Sequence, residues 1–449
     1  MKTIKGIIPP MITPLKGDDQ IDREGTVRLT EHILAGGVHA LFLLGTTGEA
    51  QSLSYECRYD FVELVCRQVA GRVPVLVGVT DTSLDESVKL AAHAAKCGAV
   101  AVVAAAPYYF APSQQELIEY FAQLGEKPFR AKQVYGWLQK GADFPEMRNL
   151  PASLQQKLSQ TETAIGVKII KTLRSEKDGT EKYLFSLADG NVVEGVLMRY
   201  HYGNTLCISS QVGCRMGCAF CASTLEGRVR DMTAGEMMGE VITVNRLHQQ
   251  GDQRGVTNIV MMGSGEPMDN YDNVLRFLHL VSAPEGICIS LRNVSVSTCG
   301  LCDRIDRLAE ENLPITLSIS LHAPTDEARR RIMPVANKYG ISRLMESCRN
   351  YVNHTGRRIV FEYALIEGVN TALEDADQLA ALTRGLLCHV NLIPLNDVPE
   401  RSLRAPGRKG IDAFQHRLEE LGVSVTRRRE MGADIEGACG QLRRKHLST

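Results

Sequence analysis

The stretch "PYYFAPSQQELIEYFAQLGEKPFRAK", residues 107–132, decides whether this chain has one fold or two. Its first half reads as the end of a buried strand followed by a loop, and its second half as the opening of a small helical domain. Between them, "SQQELIEYF" (113–121) has the apolar spacing of an amphipathic helix that either neighbour could use. The stretch therefore predicts a junction between two folds within this helix.

The composition is that of a globular protein with several domains. The 449 residues are 44% hydrophobic and 23% charged, and they contain no run of about 18 apolar residues that could span a membrane. The N-terminus lacks the apolar core of a signal peptide, which favours a cytoplasmic location, where thiols stay reduced. The 13 cysteines are therefore expected to be ligands, nucleophiles or core residues.

The charge is unevenly distributed, although the net charge is only −1. Two basic runs, "RRR" (427–429) and "RRK" (443–445), lie in the C-terminal part of the chain. Such a basic region suits a polyanionic partner. A solvated charged face explains the charge alone equally well.

Residues 1–121 alternate short apolar runs with amphipathic helical segments. The apolar runs lie at 6–14, 40–49, 73–82 and 99–109. Strand–helix units at this spacing predict a parallel sheet, and a complete eight-unit barrel takes about 250 residues. The expected fold is α/β, a truncated (βα)4 half of a TIM barrel.

The remainder of the chain changes pattern twice. Residues 122–160 are helical and polar, and 165–206 read as antiparallel strands with turns at 176–179 and 188–191. After Cys207 the strand–helix rhythm returns, with strand candidates at 258–265, 292–298, 315–322, 358–366, 389–396 and 423–429. This pattern predicts a small helical accessory domain with a β extension, followed by a partial (βα)6 barrel.

The segment "CRMGCAFC" places Cys214, Cys218 and Cys221 at C-x3-C-x2-C spacing. Three thiolates this close in sequence can bind three irons of one [4Fe–4S] cluster and leave the fourth iron open for a substrate. Structural zinc, the alternative, usually takes four ligands in paired knuckles. The spacing resembles the signature of radical S-adenosylmethionine enzymes, which implies a [4Fe–4S] cluster and S-adenosylmethionine (SAM) as cofactors.

Polar residues at the ends of the predicted strands form the expected cofactor site. The glycines of "GSGEP" (263–267) allow close backbone approach, and Glu266 can accept a hydrogen bond from an ammonium group. Each residue could by itself be only a turn residue, but five polar strand ends together favour a site on the catalytic face of a barrel. The residues expected to bind SAM are Gly265, Glu266, Ser297, Ser320, Leu321, His322 and Asn396.

Five motifs occur in order between about residue 113 and the C-terminus: "LGEKPFRAKQVYGWL", "TLCISSQVGC", "GSGEP", "SLHAPTDEARRRIMP" and "GACGQLRRK". Together they resemble the bacterial dual-specificity adenine-C2 RNA methyltransferases, radical enzymes that act on 23S rRNA and tRNA. The resemblance implies these RNAs as partners and a reductant such as flavodoxin. The sister family that methylates C8 of adenine shares the cysteines and is the nearest alternative. A catalytically dead RNA-binding protein is a further alternative.

The same resemblance implies roles for three residues outside the cluster motif. Adenine C2 is an sp² carbon with no useful nucleophilicity, so it cannot attack the methyl group of SAM directly. In this family Cys439 first takes a methyl group, a radical from a second SAM removes hydrogen from it, and the methylene radical adds to C2. Cys207 is then the implied disulfide partner of Cys439, and Glu194 the implied proton acceptor. Without the resemblance, Glu194 reads as a surface strand residue.

The resemblance also divides the chain. Residues 113–195 are expected to form an RNA-binding helical accessory domain with a β extension, and 196–449 the methyltransferase core. Cys299 and Cys302 form a C-x2-C pair, for which structural roles are expected in preference to redox chemistry. The basic residues available for RNA phosphates are Lys127, Arg130, Lys132 and Lys140.

The N-terminal part, residues 1–112, carries a different resemblance. Its segments "PPMITPL", "GTTGE" and "PYYFAPS" are similar to the dihydrodipicolinate synthase and N-acetylneuraminate lyase family, barrels that act on pyruvate through a lysine Schiff base. The resemblance implies a vestigial pyruvate site at Thr46, Thr47 and Tyr109. It stops at the fourth strand, before the family's Schiff-base lysine, and without that amine pyruvate cannot become an enamine. An inactive half-barrel is expected, and a retained pyruvate-binding lyase function is the alternative.

Overall fold

A computed structural model of the chain describes residues 6–17, 19–50, 53–80, 84–103, 114–396 and 401–435. The chain divides into two compact units, Met1–Tyr108 and Tyr109–Thr449. Each unit combines helices with a mainly parallel sheet, so the predicted α/β class is confirmed. No helix in the described ranges is long and apolar enough to cross a membrane.

The first unit is built on a three-stranded parallel sheet. A short hairpin of β1 (Leu15–Gly17) and β2 (Gln20–Ile21) precedes it, and the sheet consists of β3 (Leu41–Leu43), β4 (Val75–Gly78) and β5 (Ala101–Val103) in that order. Its helices are α1 (Arg23–Ala35), α2 (Tyr55–Val69) and α3 (Leu84–Lys96). Apolar residues such as Phe61, Val65 and Val77 fill the core between them.

The first predicted strand, at 6–14, is not a regular strand. It meets the sheet at a single parallel bridge between Pro10 and Phe42. Pro9 and Pro10 carry no backbone N–H and so cannot donate to a β ladder, which explains why the pairing stays local. The described part of the first unit therefore has three of the four expected barrel strands as regular elements.

The second unit begins with three helices, α4 (Gln114–Gln123), α5 (Pro128–Leu138) and α6 (Ala152–Thr161). Leu117 and Phe121 of α4 are buried in one apolar cluster with Val134 of α5 and Leu154 of α6. Glu116 of α4 also forms an ion pair of 2.7 Å with Arg276, which lies within the barrel sequence. The helix that either fold could have used thus packs inside the second unit.

A ten-stranded sheet forms the body of the second unit. Its antiparallel part consists of β6 (Val167–Arg174), β7 (Glu181–Leu187), β8 (Val192–Tyr200) and β9 (Gly203–Cys207). From β9 the sheet continues in parallel through β12 (Asn258–Met261), β13 (Val294–Thr298), β14 (Thr316–Ser320), β15 (Ile359–Leu365), β16 (Cys388–Pro394) and β17 (Val425–Arg427). Neighbouring parallel strands follow chain order, as in an open barrel.

Helices connect the parallel strands and cover one face of the sheet. They are α7 (Ala234–His248), α8 (Tyr271–Ser282), α9 (Cys302–Glu310), α10 (Asp326–Ile332), α11 (Ile341–Thr355), α12 (Leu373–Thr383) and α13 (Arg408–Glu420). A separate hairpin of β10 (Gln211–Gly213) and β11 (Arg228–Asp231) lies between β9 and α7.

Alternation along the strands separates the two faces of the large sheet. Residues such as Val193, Leu206 and Leu317 pack with the helices in the main core. Their sequence neighbours point to the opposite face, called here the inner face. It includes Lys182, Glu194, Cys207, Ser297, Ser320 and Glu362. Because the parallel strands run in one direction, their carboxyl ends meet at one edge, where ligand sites form in such sheets.

Candidate functional site

The three cysteines of the C-x3-C-x2-C motif lie in the loop between β10 and β11. Cys214 and Cys218 are buried and Cys221 is half-buried. The Cys214 N–H donates to the carbonyl of Gly227 at 3.0 Å, and the Thr224 hydroxyl donates to the carbonyls of Cys218 at 3.2 Å and Cys221 at 3.0 Å. These bonds hold the loop so that the three thiols lie near one another.

Burial keeps at least two of the thiols in this loop protonated until a metal binds. Burial raises the pKa of the Cys214 thiol to about 12, with the nearby Cys221 adding to the effect, and burial also raises the pKa of Cys218. Bound metal must therefore displace these thiol protons. In the described part of the chain, no group of three or more His, Cys, Asp or Glu side chains could hold a single metal ion. A cuboidal cluster instead takes each cysteine at a separate iron, so the three thiols fit it better than they fit zinc.

Gly265 and Glu266 follow β12, beside the cluster loop. Gly265 has φ +107°, and a Cβ there would lie 2.6 Å from Cβ of Gln211, so only glycine fits without displacement. Glu266 is buried, which raises the pKa of its carboxyl. Its two oxygens accept N–H bonds from Met268 at 3.0 Å and Cys299 at 2.7 Å. The carboxyl is thus held rigidly, with lone pairs left for an ammonium group.

The remaining predicted SAM residues also lie at strand ends. Ser297 is the penultimate residue of β13 and Ser320 the last of β14, and both are half-buried. Asn396 is exposed and lies two residues beyond β16. Leu321 has its side chain in the main core, and its N–H donates to the carbonyl of Glu362 at 3.1 Å. Leu321 can therefore contribute only its backbone, and not its side chain, to the predicted SAM site.

His322 has a fixed tautomer. Its backbone is left-handed, with φ +56°, and its buried ring accepts the Ala364 N–H at Nδ1 over 2.9 Å. Burial, together with the Arg329 charge, lowers its pKa to about 3. The imidazole is therefore neutral near pH 7 and carries its proton on Nε2. Its edge packs against Phe220, which lies between Cys218 and Cys221, with 4.8 Å between ring centroids.

Sequence reasoning missed a polar link between the cluster loop and the Glu266 loop. Arg215, inside the cysteine motif, binds Asp269 through two hydrogen bonds of 2.9 and 2.5 Å. Gln211 donates to Asp269 at 3.1 Å and accepts the Glu266 N–H at 2.8 Å. No spacing rule singles out Gln211 or Asp269, because their partners lie more than 50 residues away in the chain.

Cys299 and Arg329 lie next to the cysteine loop. Cys299 packs with Cys218, Ile332 and Met333 in a buried cluster. Arg329 is fully buried, and its guanidinium donates to the carbonyls of Cys299 at 2.7 Å and Leu321 at 3.1 Å. Cys302 is buried at the start of α9, where its carbonyl accepts from the Ser347 hydroxyl.

Glu194 and Cys207 lie together on the inner face of β8 and β9. Their exposed fractions are 4% and 5%, so the interpretation of Glu194 as a surface residue is wrong. Alternation along a strand does not reveal burial when the second face of a sheet is also covered. Lys182 of β7, which sequence reasoning passed over, is fully buried and forms an ion pair of 3.1 Å with Glu194.

Cys439 lies outside the described residues, but the segment that leads to it is anchored. Asp434 accepts the Ser175 hydroxyl at 2.6 Å and the Glu176 N–H at 3.0 Å, both in the turn between β6 and β7. Met431 packs against the buried cluster of Val196, Met198 and Cys207. The chain thus approaches Cys207 a few residues before Cys439.

Of the three side chains in the predicted pyruvate site, only that of Thr47 lies within the described residues. Thr46 and Thr47 form a 3₁₀ turn directly after β3. Thr47 is exposed, whereas the Thr46 side chain and the whole of Tyr109 lie outside the described residues. A pyruvate site at these three residues therefore stays a prediction.

Comparisons with known proteins match both halves of the chain. Residues 3–142 match the dihydrodipicolinate synthetase family, and residues 208–380 match the radical SAM superfamily. Radical SAM enzymes use SAM and a [4Fe–4S] cluster, so this match confirms both predicted cofactors. The first match continues past residue 113, where the last motif similar to that family ends.

Individual relatives agree with the second match. The probable dual-specificity RNA methyltransferase RlmN of Lachnospira eligens is 52% identical over 334 residues, covering 74% of this chain and 94% of that protein. The corresponding protein of Clostridium perfringens strain 13 is 50% identical, covering 75% of this chain and 96% of its own length. The crystal structure of a radical SAM methyltransferase from Sphaerobacter thermophilus is 41% identical and superposes with a TM-score of 0.72, over 75% of this chain and 98% of that one. The chain belongs to the RlmN family of dual-specificity RNA methyltransferases.

Proposed function

We propose that this enzyme transfers a methyl group to C2 of adenine in 23S rRNA and tRNA through a methylated Cys439. The observation that carries the proposal is the buried pair of Glu194 and Cys207 on one face of the sheet. A carbon with no nucleophilicity must be methylated through a covalent adduct, and the release of such an adduct needs a base and a second thiol. Glu194 and Cys207 supply these two groups side by side.

The cofactors would be held by residues at the carboxyl edge of the sheet. Cys214, Cys218 and Cys221 would bind the [4Fe–4S] cluster, which supplies the electron that cleaves SAM to a 5′-deoxyadenosyl radical. The rigid Glu266 carboxyl would bind the ammonium group of SAM. Ser297, Ser320, the neutral His322 and Asn396 are the further side chains available to SAM.

The chain's own residues then carry out the later steps. Cys439 holds the methyl group as a thioether, loses one hydrogen atom from it, and becomes bonded to C2 through the resulting methylene. Glu194 accepts the proton from C2, and the unpaired electron left on the adduct returns to the cluster and reductant that supplied it. The Cys207 thiolate attacks the sulfur of Cys439 and breaks its bond to the methylene carbon. That carbon takes up a proton and becomes the methyl group, so that a disulfide remains as the methylated RNA leaves.

RNA would be bound in part by the helical segment of the second unit. Lys127, Lys132 and Lys140 are exposed there. Arg130 lies 4.7 Å from the ring centroid of Phe129, which is itself exposed. Exposed cations suit contacts with RNA phosphates, and an exposed aromatic ring suits stacking with an unstacked base. We infer that flavodoxin is the reductant, by family resemblance.

An anaerobic assay tests the proposed reaction. The protein with its cluster is incubated with reductant, SAM and either 23S rRNA fragments or tRNA, and the digested RNA is analysed by mass spectrometry. We expect 2-methyladenosine with the wild type and none with Cys439→Ala. Cys388→Ala should keep the activity, because Cys388 is the first residue of β16 and lies at the amino end of the strand, whereas the site is at the carboxyl ends. 8-Methyladenosine would assign the chain to the sister reaction, and unmodified RNA with an intact cluster would indicate an RNA-binding protein without this activity.

For the N-terminal unit we propose no lyase activity. The lysines in its described part, Lys16, Lys89 and Lys96, are all exposed on the hairpin or on α3. An imine-forming lysine needs a lowered pKa, which a desolvated pocket supplies. Treatment with pyruvate and borohydride should therefore leave the mass of the chain unchanged, whereas a complete dihydrodipicolinate synthase under the same conditions gains the reduced adduct. A trapped adduct on any lysine would contradict the proposal.

A further inference from the structure

Lys182 is a fully buried ammonium group on the inner face of the sheet. Its exposed fraction is 0%, and its Nζ lies 3.1 Å from Oε2 of Glu194. Lysine is almost never buried to this extent without a charged partner, because desolvation of the cation costs several kcal/mol. A buried ion pair is also weak evidence for stability, since an apolar pair of the same size is often as stable. The pair therefore needs a reason other than folding.

The register of the sheet connects this pair to Cys207. Lys182 of β7 lies opposite Val196 of β8, and Val196 lies opposite Cys207 of β9. The three residues form one row across three strands. Glu194 lies two residues from Val196 along β8, so it is a diagonal neighbour of both Lys182 and Cys207 on the same face.

The backbone around Glu194 is also held in place. The Ser209 hydroxyl donates to the carbonyl of Glu194 at 2.8 Å and accepts the N–H of Ser264 at 3.0 Å. These bonds tie β8 to β9 and to the loop that precedes Gly265. The carboxylate of Glu194 therefore projects from a fixed backbone, and its direction depends on what its side chain binds.

We propose that Lys182 is a positioning residue for the release step, and that its ion pair with Glu194 directs the Glu194 carboxylate toward the reacting adenine. This inference rests on the proposed function, in which Glu194 accepts the proton from C2. A general base accepts a proton only when its oxygen lies within hydrogen-bond reach of that proton, so the direction of the carboxylate decides whether it can act. Lys182 would fix this direction without contacting the RNA. The proposal predicts that loss of the cation slows the reaction after adduct formation.

The experiment compares the complete enzyme with Lys182→Met, Lys182→Arg, Glu194→Gln and the double variant Lys182→Met/Glu194→Gln. Lys168→Met, an exposed lysine on β6, is the matched control. Three quantities are measured: methylation of the Cys439 peptide by mass spectrometry, the covalent RNA–protein adduct on denaturing gels, and the rate of 2-methyladenosine release.

For Lys182→Met we expect normal methylation of Cys439, accumulation of the adduct, and release slowed by about 100-fold, the lower end of the usual range for general acid–base catalysis. Lys182→Arg should recover most of the release rate, because the guanidinium also supplies a cation. Lys168→Met should behave as the wild type. A purely structural role for Lys182 would lower the thermal midpoint and leave adduct release at its normal rate, which would overturn the proposal.

The double variant keeps the test decisive if Lys182→Met fails to fold. Removing both charges avoids leaving one member of the ion pair buried without the other, so the double variant should fold. If Lys182 acts through Glu194, the double variant releases RNA as slowly as Glu194→Gln alone. Slower release by the double variant than by Glu194→Gln would overturn the inference. A Cys207→Ala variant, which lacks the thiol needed for release, is added as the protein expected to accumulate the most adduct. Absence of adduct in every protein, this variant included, would overturn the proposed function together with this inference. Normal release by Lys182→Met would overturn the inference alone.

Discussion

Replacing Cys218 by alanine should abolish cluster binding and reduce RNA methylation to background. Cys218 is buried among Cys299, Ile332 and Met333, in the middle of the three-cysteine loop. Alanine removes one of three protein ligands, and burial raises the pKa of the neighbouring Cys214 thiol, so that its proton is harder to displace without a complete ligand set. No other group of potential ligands in the described part of the chain could take over the metal.

Iron and acid-labile sulfide per chain, after anaerobic reconstitution, measure this effect directly. The electron paramagnetic resonance signal of the reduced protein provides a second readout that does not depend on RNA. Cys348→Ala is the matched control, because Cys348 is also buried but lies in α11 and packs in the main core. A Cys218→Ala protein with wild-type iron content and an unchanged spectrum would contradict the assignment of the cluster ligands.

Replacing Arg329 by methionine should destabilise the second unit by on the order of 4 kcal/mol, since each buried acceptor left unsatisfied costs about 1–3 kcal/mol. The guanidinium is fully buried and joins three separate segments. It donates to Cys299 after β13, to Leu321 after β14, and to Tyr339 beyond α10, at 2.7, 3.1 and 3.4 Å. Methionine fills much of the volume but satisfies none of these carbonyls. Part of this loss of stability is offset, because burying methionine does not require a charged group to be desolvated, whereas burying arginine does.

Urea unfolding followed by the fluorescence of Trp137, the chain's one tryptophan, measures this change within the second unit. Arg331→Met is the control: Arg331 lies on the same helix, is exposed, and pairs only at the surface with Glu327 at 2.5 Å. Surface substitutions of this kind change stability by no more than about 0.5 kcal/mol. Equal unfolding midpoints for the two variants would show that the buried hydrogen bonds of Arg329 do not stabilise the strand ends.

The sequence predicted the elements whose signals are local. The C-x3-C-x2-C spacing, the apolar runs of the parallel strands and the turns at 176–179 and 188–191 each depend on residues close together in the chain. The structure has antiparallel strands β6 to β9 and the parallel strands β12 to β17 where these patterns indicated them. The run at 6–14 was the exception, because apolarity suggested a strand while its two prolines prevent regular pairing.

What the sequence by itself determined is the α/β class, the presence of two unlike parts and the cysteine motif of a radical SAM enzyme. Only the tertiary structure decided which part the helix 114–123 packs with, that Glu194 is buried, and which residues hold the site together. Lys182, Gln211, Arg215 and Arg329 all act on partners from other strands or loops. The physical reason is that hydrogen bonds and ion pairs are short-ranged in space but not in sequence. The charged residues along one strand therefore do not show which charged residue of the neighbouring strand will lie opposite them.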